Sequence, residues 1–227
     1  MYNYPLKFSF GMFSLTPKIK VTDASGKVIM TASKKLLSSK EEIPVNLNGT
    51  SLFQITSQES RLSDIPSNWD ITTAEGEKIG TVDDDYLSAI DTSSFVNNRV
   101  AGEIAEDLIS RQLNLQDLKM YWLLDTAGNK VGLIAPEKKS LVAQQLPLYD
   151  IVRKLPLFFR FITPGYYIRM NEKTVMYLQK KKTLMVDTYD LTLEESEGLT
   201  EEDEKLLLPS VLLTLVYERQ QLKDSYQ

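Results

Sequence analysis

Residues 199–222 read LTEEDEKLLLPSVLLTLVYERQQL, and no other stretch restricts the possible folds so sharply. Thr200 suits a helix N-cap, and Glu201, Glu202 and Asp203 put negative charge in the first turn, where free amides and the macrodipole favour it. Arg219 and Lys223 fall near the end, where positive charge suits exposed carbonyls. Between them, Leu206, Leu207, Leu208, Val211, Leu212, Leu213, Leu215, Val216 and Tyr217 cover every side of a helix when stepped at about 100° per residue. A helix apolar all round must be enclosed by protein or by lipid. This apolar run would rise only about 18 Å, against a hydrocarbon core of roughly 30 Å. Protein is the better container, so the remaining chain is expected to wrap a helix.

The 227 residues suffice for one large domain or two small ones with a substantial core. No domain boundary stands out, and a single domain over 1–227 is expected. A net charge of −5, from 26 basic and 31 acidic residues, argues against general attraction to nucleic acid, although a local basic patch would survive it. Cysteine and histidine are both absent. That removes disulfides, thiolate and imidazole metal ligands, cysteine nucleophiles and Ser-His-Asp triads. Dinucleotide, Walker A, nucleophile-elbow and zinc spacings are missing too. Acid pairs can be drawn among the carboxylates, but none sits in a context expected to raise a pKa. The expectation is a non-enzymatic chain without cofactor or metal. The start, MYNYPLKFSFGMF, has no basic n-region or small-residue cleavage site, and no run reaches membrane-span length. A cytoplasmic protein with no transmembrane segment is expected.

Strand periods fill much of the chain. Leu6, Phe8 and Phe10 alternate with Lys7 and Ser9; Ile19 and Val21 alternate with Lys18, Lys20 and Thr22. DASGK at 23–27 then turns the chain into the β-rich 28–30. The same grammar returns around Gly76 in TTAEGEKIG, around Gly128 in MYWLLDTAGNKVGLI, and at Asn171–Glu172 in GYYIRMNEKTVMYLQ. Gly26, Gly76 and Gly128 lie roughly fifty residues apart, a propeller-like period. The intervening segments differ too much for blades, so hairpins of one closed antiparallel sheet fit better, because closure removes exposed edges.

Two stretches depart from this pattern. Residues 97–113 place Val100, Ile104 and Leu108 on one stripe with Ala101, Ala105 and Ile109 beside it, an amphipathic helix that either packs on the barrel or binds a partner. Residues 146–164 hold an apolar, aromatic patch at 157–162, expected to pack under the barrel's end or, if exposed, to form a membrane or ligand surface. Residues 187–204 are acidic and are expected to form a solvated connection anchored by Leu191 and Leu193.

Asp83, Asp84 and Asp85 offer oxygen ligands for a hard cation, but lack EF-hand spacing and read as a solvated turn. Lys180, Lys181 and Lys182 follow a strand, and with Lys34, Lys35 and Lys40 they could bind phosphoryl headgroups if the fold gathers them. Lysines blunting a sheet edge would explain the run equally well.

YPLKFSF at 4–10, KIKVTDASGKVI at 18–29, LPLFFRFITPGYYI at 155–168 and the terminal helix together resemble the bacterial branch of the LURP-one-related family. That family belongs with the tubby C-terminal-like domains, which include the phospholipid scramblases. The resemblance implies a closed antiparallel barrel of about twelve strands around a hydrophobic C-terminal helix. It carries no residue-level motif to transfer, and the amphipathic helix at 97–113 stands where another strand pair is expected. A binding or scaffold role follows. The chain is expected to attach peripherally to anionic phospholipid through the six lysines, with Phe158 and Phe159 in support; the alternative is a protein–protein module using 97–113 or 157–162.

Overall fold

The structure is a computed structural model, and it describes residues 2–11, 18–35, 40–60, 68–86, 119–137, 165–181, 186–195 and 199–224. Twelve strands form a closed barrel. In chain order they are β1 (Leu6–Phe10), β2 (Lys18–Thr22), β3 (Val28–Ser33), β4 (Lys40–Leu47), β5 (Thr50–Ser60), β6 (Asn68–Thr73), β7 (Lys78–Tyr86), β8 (Lys119–Leu124), β9 (Lys130–Pro136), β10 (Gly165–Met170), β11 (Lys173–Lys181) and β12 (Thr188–Leu193). Every strand pairs antiparallel with its sequence neighbours, and β1 closes on β12 through Leu6–Leu191 and Phe8–Tyr189. One helix, α1 (Glu201–Asp224), follows β12.

The helix is the barrel's core. All residues from Leu206 to Tyr217 are buried, which its all-round apolar sequence requires. Around it stand the inward positions of the strands, such as Leu6 and Phe8 on β1, Ile43 and Val45 on β4, Trp69 and Ile71 on β6, and Ile168 on β10. Thr200 and Asp203 cap α1 reciprocally: Thr200 Oγ1 accepts from the Asp203 amide at 3.1 Å, and Asp203 Oδ2 accepts from the Thr200 amide at 2.8 Å. Two hydroxyls inside the apolar lumen turn back on the helix. Ser210 Oγ donates to the Leu206 carbonyl at 2.6 Å and Thr214 Oγ1 to that of Ser210 at 3.0 Å, so neither is left unsatisfied. The helix runs unbroken through Pro209.

The two ends of the barrel differ. At one end lie the tight turns of the even-to-odd strand connections and the start of α1. Two of these turns repeat one device, with Asp23 Oδ1 accepting the Ser25 and Lys27 amides and Asp125 Oδ1 those of Ala127 and Asn129. Asn48–Gly49 (φ 50° and 85°) and Asn171–Glu172 (φ 47° and 69°) are two-residue hairpins, whose twist demands positive φ at both positions. At the opposite end the odd-numbered strands finish and the even-numbered strands begin, and α1 terminates there.

Three expectations are corrected. Asp83–Asp85 belong to β7, paired with Trp122, Tyr121 and Met120 of β8, and are not a solvated turn. Residues 188–193 are not a solvated connection but the strand that shuts the barrel, because Tyr189 and Leu191 must cover the helix. The run at Lys180 cannot blunt an edge: β11 pairs on both sides, and a closed barrel has none. The helix expected at 97–113 and the patch at 157–162 lie outside the described residues, and twelve strands form without them.

Candidate functional site

Where α1 leaves the lumen, the inner wall turns from apolar to polar. Tyr217 is edge-on to Trp69, with ring centroids 5.1 Å apart, and donates its hydroxyl to Glu41 Oε2. The other oxygen of Glu41 pairs with Lys34 Nζ at 2.7 Å, and that ammonium lies 5.6 Å from the Tyr217 ring centroid. One residue on, Glu218 Oε1 accepts from Tyr189 Oη at 2.9 Å, while Oε2 is sealed from solvent without a hydrogen bond. Lys180 is 5% exposed, 3.4 Å from Asp187 Oδ1 and stacked over Tyr189. Arg219 lies over Phe10 and donates to the Gly11 carbonyl at 3.3 Å. Lysines 34 and 180 therefore belong to a polar collar around the helix exit.

Glu218 corrects the expectation that no carboxyl sits in a context that raises its pKa. Burial pushes its pKa up, against the pull of Lys180 and the hydroxyls of Tyr189 and Tyr166. The sign follows from linkage. A carboxyl whose folded pKa exceeds its unfolded value contributes stability below the unfolded pKa and loses it as pH rises from there toward the folded pKa. Glu218→Gln, which cannot ionise, is thus expected to match the parent's melting temperature near pH 4 and exceed it at pH 7. Thermal melts at the two pH values check this, and a variant less stable at neutral pH would show that the ionised form is the favoured one.

Of the six lysines singled out by sequence, the five described ones reach the same end but not one pocket. Lys34 and Lys35 follow β3, Lys40 opens β4, and Lys180 and Lys181 end β11; Lys182 lies outside the described residues. Between β3 and β11 stand β2, β1 and β12, a separation of about 19 Å at the usual strand spacing. Four of the five described lysines are held by carboxylates: Lys34 by Glu41, Lys35 by Glu42 at 2.6 Å, Lys180 by Asp187, and Lys181 by Asp190 at 3.2 Å. Lys40 is exposed.

Sequence reasoning passed over the cations in between. Lys18 and Lys20 project from the same face of β2 and are exposed, with no ion-pair partner among the described residues. They line a groove of about 600 Å³ over β1–β3, with Ser9, Ser33, Asn46 and the rim residues Gly11 and Val186. A second pocket, about 480 Å³, lies at the tight-turn end beside the start of α1. Three of its carboxylates are committed: Asp125 to its turn, Asp203 to the cap and Glu202 to Lys205. No group able to hold a metal ion occurs among the described residues, nor any helix long and apolar enough to cross a membrane.

No model of a known protein family matches the chain, and neither does any curated protein sequence.

Proposed function

We propose that the chain is a non-enzymatic binding module of the LURP-one-related, tubby C-terminal-like kind, attaching peripherally to anionic phospholipid through the end of the barrel where α1 terminates. One observation carries the reading. Strands β4, β3, β2 and β11, within six consecutive strands of the barrel, bring Lys40, Lys34, Lys35, Lys18, Lys180 and Lys181 to one end, with Lys20 midway along β2; Lys40, Lys18 and Lys20 are exposed, and the other four face carboxylates. In sequence, Leu36 and Leu37 are bracketed by Lys34, Lys35 and Lys40. Apolar residues bracketed by lysine are the composition that peripheral attachment uses, the first entering the headgroup–acyl boundary and the second attracted by about 1 kcal/mol each to an anionic surface. Leu and Val of α1 fill the lumen among the described residues, which directs binding to the outside. A cytoplasmic, peripheral location belongs to the same proposal, and the protein-partner alternative depends on 97–113 and 157–162, outside the described residues.

Co-sedimentation with phosphatidylcholine vesicles, with and without phosphatidylserine, tests the reading. Binding is expected only with phosphatidylserine, weakening as salt shortens the Debye length below about 10 Å, and weakening again in Lys35→Glu/Lys181→Glu. Absence of binding to every anionic vesicle at low salt ends it.

A further inference from the structure

We infer that the outer wall of β8 and β9 is a docking face for the chain's own amphipathic segment 97–113, which lies on it through its apolar stripe. On other strands the outward positions meet solvent: Lys18, Lys20 and Thr31 are exposed, and Gln54, Asp70 and Asp190 are half-buried. On β8 and β9 that alternation is lost. Trp122 of β8 pairs with Leu133 of β9, and Met120 and Ala135 stand two residues along on the same outward face, yet none of the four is more than 9% exposed. None belongs to the apolar cluster around α1, which takes Tyr121, Leu123 and Ile134 from these strands instead. Unbroken apolar runs mark strands covered on both faces, and 120–124 reads MYWLL while 133–136 reads LIAP. Such a wall is shielded from water by a second layer, and α1, the one helix among the described residues, lies on the inner side.

The covered strip has the width of one helix. It spans two strands about 5 Å apart and ends on both flanks: Asp83 of β7, opposite Trp122, is half-buried, and Tyr167 of β10 is 40% exposed. A helix about 10 Å across fits it. The cover is also apolar. Trp122 Nε1 is sealed from solvent without a hydrogen bond, so the layer above it presents no acceptor there, where a buried indole ordinarily finds one. Toward the tight-turn end the strip is closed by Lys130, whose ammonium lies 4.2 Å from the Trp122 ring centroid. Of the two stretches that depart from strand periodicity, 97–113 has the matching shape. Val100, Ile104 and Leu108 make one side apolar, while Arg99, Glu103 and Glu106 keep the other side wet. Residues 114–118 tether it to Lys119, the first residue of β8, by about 17 Å of chain at most. The rival stretch 157–162, LFFRFI, is apolar on nearly every side and would set phenyl rings in water if it lay on the strip. Docking here does not depend on lipid attachment, and it withdraws the stripe of 97–113 from the surfaces a second protein could use.

The test uses the full chain and its two tryptophans. Trp69 is sealed inside the barrel, so acrylamide quenching of indole fluorescence reports on Trp122. Leu108→Asp puts a charge on the stripe; Ser110→Asp puts the same charge about 200° further round, on the wet side. Leu108→Asp is expected to increase quenching and lower the urea midpoint, and Ser110→Asp to leave both as in the parent. Equal behaviour of the two variants overturns the docking. So does Phe159→Asp exposing Trp122 where Leu108→Asp does not, which assigns the strip to 157–162, or protection of Trp122 that fades on dilution, which assigns it to a second copy. Cysteine pairs keep the test decisive if Leu108→Asp fails to fold, because the parent has no cysteine. Ala101 and Ala105 lie about one turn apart on the stripe. At least one of Ala101→Cys/Ala135→Cys and Ala105→Cys/Ala135→Cys is expected to form an intrachain disulfide on mild oxidation, whereas Ala105→Cys/Thr31→Cys, which probes the opposite wall, forms none. No disulfide to position 135, or equal yield in the control, overturns the docking.

Discussion

Leu212→Asp is expected to yield a chain with no cooperative unfolding transition. Leu212 is 0% exposed, halfway along the part of α1 that the barrel encloses, with wall on all sides. Truncating a buried leucine alone costs about 2.7–5 kcal/mol. A carboxylate in the same place must either ionise without a partner or take up a proton and still lack hydrogen bonds, and each route adds several kcal/mol. The sum, about 5 kcal/mol or more, is comparable with the whole stability of an ordinary domain. Leu212→Met keeps the volume and should cost less than about 1.5 kcal/mol, which separates the effect of charge from that of altered shape. Urea denaturation followed by far-UV circular dichroism distinguishes the two variants. A soluble Leu212→Asp protein with a sharp transition would place α1 outside the barrel.

The helix was legible because its sequence is self-contained: caps, charge at each end and an apolar surface all round lie within one stretch. Hairpins around Gly26, Gly76 and Gly128 were legible for the same reason, since turns closed by the Asp23, Thr73 and Asp125 side chains need only neighbouring residues. The hairpin joining β4 to β5 was missed although Asn48–Gly49 is a strong local signal; Lys40, Glu41 and Glu42 of β4 hid its alternation. β12 was read as solvated because acidic residues surround it, and its role follows only from the need of β1 for a partner.

The site was less legible because it depends on contacts across strands. Lys34 and Lys180 stood out as members of clusters, yet their partners Glu41 and Asp187 are fixed by how the strand ends meet, and Tyr217 meets Glu41 from the far end of the chain. Glu218 looked like one acid among many until the fold enclosed it beside Tyr189. Lys18 and Lys20 passed as the polar half of an ordinary strand. What could have found them is a comparison of outward positions: Ser9, Lys18, Lys20 and Ser33 are all outward on adjacent strands, and none of them is acidic.

A close approach of wall and helix predicts the second large effect. Gly80 of β7 faces inward, where an added Cβ would fall on the Leu124 carbonyl oxygen of β8 and lie 2.8 Å from Cδ1 of Leu206, in the first apolar turn of α1. Valine suits a strand better than glycine, by up to about 1 kcal/mol, so propensity alone predicts that Gly80→Val stabilises. Sterics reverse the sign. Forcing a branched side chain into a filled lumen costs about 3 kcal/mol, since one obstacle is backbone and cannot rotate away. Gly11→Ala is the control, because a Cβ there meets nothing nearer than 3.9 Å, and it should change stability by less than about 1 kcal/mol. Combining Gly80→Val with Leu206→Ala separates the two obstacles: space opened on the helix should recover about 1 kcal/mol relative to additivity, leaving the clash with Leu124. Strict additivity in that cycle, measured by denaturant titration, would mean that β7 and the start of α1 do not touch, and the helix would need another path into the barrel.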